Sequence, residues 1–73
     1  MDWSECPVVE VIPGKVSGVP LVRHSRVQAD AVLENYESGE SVEDIAYNFE
    51  LDPEDIVAVL SYASERMAIK SAG

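Results

Sequence analysis

The sequence predicts a mostly α domain, with a short N-terminal β-hairpin followed by a three-helix, helix-turn-helix-like bundle. Three observations predict it. β-Branched residues cluster early, at Val8, Val9, Val11 and Ile12 and again from Val19 to Val22. From residue 27 onward the apolar spacing changes from a period of two to one of about 3.6. Helix stop and start signals, Gly39, Ser41 and Asp52-Pro53, then divide that stretch into three amphipathic segments.

Residues 1–7 read as a loose tail that ends at Pro7. Residues 8–70 read as a single domain. Within it, residues 8–23 form the hairpin, with Pro13-Gly14 and Gly18 bracketing the turn. The loop between the strands is expected to hold about six residues, and Pro20 places the second strand at an edge. The first helix is expected over 28–38, with Ala29, Val32, Leu33 and Tyr36 on one face and Gly39 as its stop. The second spans 41–49. Ser41 caps it, Asp44 stands three residues on, and Val42, Ile45, Ala46 and Phe49 share a face. The third spans 53–69. Asp52 is its cap, Pro53 its first residue and Glu54-Asp55 its acidic first turn, with Ile56, Val59, Leu60, Ala63 and Met67 forming its apolar stripe.

Composition bounds the function. The chain has 73 residues, 14 acids, 5 bases and a net charge of −9, with 47% hydrophobic residues. That hydrophobic content is too high for a disordered acidic chain. The longest apolar run, Ile56 to Leu60, is far short of the ~20 residues that cross a bilayer. The acidic start, Met1-Asp2-Trp3-Ser4-Glu5, is unlike a signal peptide, and Cys6 is the lone cysteine. A cytoplasmic protein is expected. So is a homodimer, because so small a chain buries little core alone.

The charge is unevenly placed. Residues 1–26 hold three acids and three bases, whereas residues 27–65 hold eleven acids and no lysine or arginine. The basic candidates for nucleic-acid or partner contact are therefore Lys15, Arg23, His24 and Arg26. The third helix makes a poor DNA reader, since its leading residues are Asp52, Glu54 and Asp55, which repel phosphate. The helical trio reads better as a scaffold. No catalytic residue is expected: one cysteine and one histidine lack an orienting third group. No metal ligand set or cofactor motif is expected either. Trp3, Met67 and Ile69, apolar near the chain ends, are candidates for a partner or dimer interface.

The run Pro13 to Val27 resembles the opening of the family called domain of unknown function 433. That family typically shows Gly-Gly-x-Pro-x-Ile and then Gly-Thr-Arg. Gly39 to Ile45, Leu51 to Ile56 and Val59 to Ala63 resemble its later blocks. Two departures stand out. Ser17 replaces the first glycine of the pair, and His24-Ser25-Arg26 replaces Gly-Thr-Arg. Because histidine takes positive φ less readily than glycine, the junction between strand and helix is expected to differ.

The resemblance implies a helix-turn-helix domain behind a short β element. It also implies an antitoxin of a type II toxin–antitoxin module, which binds and blocks a toxin resembling the PIN-domain ribonucleases. Co-repression of its own operon would be a second role, with operator DNA as a further partner. The alternative function, from a different class, is a stand-alone helix-turn-helix DNA-binding repressor.

Overall fold

The computed structural model describes the backbone of residues 2–72 and the side chains of residues 2–66. Two strands, β1 (Val9–Glu10) and β2 (Leu21–Val22), precede three helices, α1 (Ala29–Glu37), α2 (Val42–Phe49) and α3 (Pro53–Ala72). The strands are antiparallel, with Val9 opposite Val22 and Glu10 opposite Leu21. The hairpin and the three helices are those expected, but the ladder is shorter. Val11 and Ile12 lie beyond it and are exposed, and the connection runs over residues 11–20 with a short 3-10 turn at Val16–Gly18. β-Branching favours extended backbone, but it does not supply a pairing partner.

After β2 the chain reverses tightly. Ser25 Oγ donates to Val22 O at 2.7 Å and accepts from Val27 N at 3.1 Å. Val22 N donates to Val27 O, and Gln28 then bridges to Leu21. This short return delivers the chain to the start of α1.

The helix ends follow their residues. Gly39, at φ 109°, donates to Tyr36 O, and Glu40 donates to Asn35 O, which satisfies the last carbonyls of α1 in a Schellman arrangement. Ser41 Oγ accepts from Asp44 N at 3.1 Å, and Asp52 Oδ1 accepts from Glu54 N at 2.9 Å, so both expected caps form. α2 ends on Glu50 at φ 56°, a left-handed position for which its sequence carries no glycine. The core lies where the three helices meet beneath the hairpin. Val22, Ala29, Val32, Ile45, Ile56, Val59 and Ala63 are buried in one cluster.

The N-terminal segment differs from expectation. Residues 1–7 were read as a loose tail, yet Trp3 is 2% exposed and Cys6 is 3% exposed. Trp3 Nε1 donates to Asp30 Oδ1 at 2.9 Å, and its ring stacks on Tyr62 with centroids 5.6 Å apart. Tyr62 OH donates to Asp2 O at 2.8 Å. The Arg66 guanidinium lies 4.7 Å from the Tyr62 ring centroid and pairs with Glu5. A single tryptophan among polar residues shows no periodicity, so a local pattern cannot place it. Its partners lie 27 and 59 positions away on α1 and α3.

Three substitutions check this account by urea unfolding followed by circular dichroism. Trp3→Ala is expected to cost about 3–5 kcal/mol, enough to unfold much of so small a domain. Ser41→Ala is expected to cost about 1 kcal/mol through the lost cap. Glu50→Gly has the opposite sign, a gain of about 0.5–1 kcal/mol, because glycine removes the left-handed penalty.

Candidate functional site

The basic residues of the N-terminal half do not form one patch. Arg23 follows β2 and reaches the first turn of α3. Its Nη2 donates to Asp55 Oδ1 at 2.9 Å and its Nε to Oδ2 at 3.5 Å. Asp55 is only 9% exposed, so the guanidinium fork supplies the charge that a buried carboxylate needs. The positive end of the α3 dipole favours the same carboxylate. Arg23, a candidate contact residue, is half-exposed and paired with Asp55, which ties the hairpin to α3.

His24 is exposed and adopts φ 61°, and its backbone N–H donates to Glu10 Oε1 at 2.6 Å. Arg23, His24 and Ser25 line a cleft together with Glu50, Leu51, Asp52 and Asp55. The expected basic cluster thus faces three carboxylates of the α2–α3 turn, and the cleft as a whole is acidic. Lys15, half-buried, and Arg26, exposed, lie outside that lining. Among the described residues neither Lys15 nor Arg26 makes an ion pair. Sequence reasoning missed Asp55 as Arg23's partner. It read that residue as a helix-start acid, and the two stand 32 positions apart.

Trp3, expected at an interface, is a core residue, because the described fold supplies it with apolar neighbours and a hydrogen-bond acceptor. Met67 and Ile69 lie outside the residues whose side chains are described. Cys6 is buried, and both hydrogen-bonding sides of Ser25 Oγ are occupied by backbone. At the N-terminal clasp, hydrogen bonds from Ser4 hold the Asp2 carboxyl below its ordinary pKa. The hydrogen bond to Glu5 raises that of Arg66.

A second concavity lies on the helical side. Tyr36 at the end of α1, Val42 at the start of α2, and Val57, Leu60, Ser61, Ser64 and Glu65 along α3 line a groove. Tyr36 and Val57, each 50% exposed, bring two large apolar side chains to the same groove.

The fold and these surfaces define a small domain in which a β-hairpin caps three acidic helices and in which the described residues form two grooves. The chain belongs to the family described as "Protein of unknown function (DUF433)", whose model matches residues 9–63. Its fold is similar to that in the 2.00 Å crystal structure of a DUF433 member protein from Anabaena variabilis. The TM-score is 0.66 at 20% identity, covering 90% of this chain and 69% of that one. No curated protein matches the chain.

The two departures from the family pattern now have a geometry. Ser17 sits at φ 58° and His24 at φ 61°, both in the left-handed backbone region that glycine adopts most readily. His24 itself takes the left-handed backbone. The histidine accepts the strained conformation, anchored by the hydrogen bond from its N–H to Glu10.

Removing the guanidinium at Arg23 leaves a buried carboxylate unpaired. Arg23→Ala is expected to lower stability by about 1–2 kcal/mol, the value for a half-exposed partner, while Arg23→Ala combined with Asp55→Asn recovers part of the loss. A double-mutant cycle on urea midpoints reads the coupling.

Proposed function

We propose that this chain is an antitoxin-like, protein-binding module that neutralises a PIN-like ribonuclease encoded beside it. In this reading it acts in the cytoplasm as a homodimer and co-represses its operon together with its toxin. The observation that carries the reading is the charge of the helical half. Eleven acids stand between residues 27 and 65 without a lysine or arginine among them, and Arg23, which reaches into that half, is paired with Asp55. A ribonuclease must attract a polyanion, so its active-site rim is basic. An acidic module competes with RNA for that rim, and the same field speeds its encounter with the enzyme. Arg26, exposed and without an ion partner among the described residues, is the arginine suited to reach the enzyme's acidic centre.

In the same reading the pair α2–α3, joined by Glu50-Leu51-Asp52, is a helix-turn-helix used as a scaffold. Asp52, Glu54 and Asp55 crowd the end that would enter a major groove, and they oppose the phosphate contacts that DNA affinity requires.

The test is a ribonuclease assay with the neighbouring gene product, titrated with the purified chain. Stoichiometric inhibition that weakens with salt is expected, and the free chain should not shift its own promoter DNA at about 50 mM salt. Unchanged RNA cleavage overturns the reading, and nanomolar promoter binding by the free chain would put a stand-alone repressor in its place. Light scattering at about 100 µM checks the dimer, and a monomer there removes that part of the proposal.

A further inference from the structure

The groove between Tyr36, Val42 and the outer face of α3 lies outside the core cluster, against which its Val42 and Leu60 pack from one side. Its floor is apolar: Val42 and Leu60 are half-buried, and Val57 and Tyr36 are half-exposed. Its long wall is one stripe of α3: Val57, Ser61 and Glu65 line it, and Glu54 continues the same stripe at helical spacing. That stripe spans three turns, about 16 Å at the usual rise per residue. Acids stand at both ends of it, at Glu54 and Glu65, and Glu37, Glu40 and Glu43 flank Tyr36 and Val42 in the chain. Arg66 provides no compensating charge, being stacked on Tyr62 and paired with Glu5.

We infer that this groove receives an amphipathic helix of about three turns from a partner protein, its apolar residues seated on Val42, Val57 and Leu60 and its lysines or arginines on the acidic rim. Charge complementarity selects this occupant. A second copy meeting the same face about a two-fold axis would set Glu54 and Glu65 against carboxylates of the same surface, which is repulsive. An acidic or neutral helix finds no cation between residues 27 and 65 with which to pair. The inference rests on the protein-binding role proposed above and deepens it by naming the surface and the chemistry of the segment bound.

Two probes test it with the full chain. The first is a synthetic three-turn helical peptide with leucines on one face and lysines flanking them, compared with the same peptide carrying glutamates in place of the lysines. Amide chemical shifts report the site. Saturable changes confined to Tyr36, Val42, Val57 to Ser61 and Ser64 are expected with the basic peptide only. Changes centred on Val11 and Ile12, equal binding of the acidic peptide, or no saturable change overturn the inference.

The second probe is inhibition of the neighbouring nuclease by Val57→Lys and by Tyr47→Lys. Tyr47 is 85% exposed and lies outside the groove, so it carries the same charge change elsewhere on the surface. Val57→Lys is expected to weaken inhibition by at least tenfold, on the order of a lost interface anchor, and Tyr47→Lys by less than about threefold. Matching circular dichroism melts for the two variants separate binding from folding. Equal inhibition by both variants overturns the groove and leaves the antitoxin reading intact. A nuclease that the unaltered chain fails to inhibit overturns the antitoxin reading, and the peptide titration alone then decides the groove.

Discussion

A chain of 73 residues has a small core, and the largest side chain in it is Trp3. It comes from a segment with no regular structure of its own. From that position it reaches α1 through Asp30 and α3 through Tyr62. The first residues of the chain are thereby fastened to the last described turns of α3, with Arg66 and Glu5 closing the clasp on the outside. The energy of burying Trp3 is large on the scale of the whole fold, since a buried aromatic ring contributes several kcal/mol where the net stability of a small domain is itself only about 5–10 kcal/mol.

The second fastening is electrostatic. Arg23 and Asp55 join the hairpin to the start of α3 across 32 positions of sequence. This pair also decides what the surface presents. By drawing the arginine inward over the α2–α3 turn, it leaves that end of the molecule dominated by Glu50, Asp52 and Glu54. A cation that looked available for phosphate is used to neutralise a buried carboxylate. The structural requirement and the functional character of the surface are therefore set by one contact.

Backbone strain is concentrated where the chain turns without glycine. Ser17, His24 and Glu50 all take left-handed φ values, and Val16 does so at φ 47° despite its branched side chain. The left-handed penalty, partly offset by the greater unfolded-state freedom of glycine, leaves each about 0.5–1 kcal/mol less stable than glycine there, so a domain with little stability to spare carries several such positions at once. The Glu10 carboxylate on the His24 N–H and the Leu51 N–H on Ala46 O show how neighbouring hydrogen bonds hold two of them in place.

The sequence by itself determined the order of the elements, both N-caps at Ser41 and Asp52, the stop at Gly39 and the acidity of the helical half. These are local properties. Periodicity, capping and charge act over a few residues, so they are visible in a window of the same size. The family could be read as well, because its punctuation recurs in order along most of the chain. Only the tertiary structure decided that Trp3 is core rather than interface, that the strands shrink to two residues each, and that Arg23 belongs to Asp55. It alone assembled Tyr36, Val42 and Val57 into one groove, from three helices whose separate patterns had assigned the first two to the buried side. The physical reason is common to all four. A buried ring, a ladder end, an ion pair and a groove each depend on which distant segment arrives opposite, and the packing of the whole chain sets that choice.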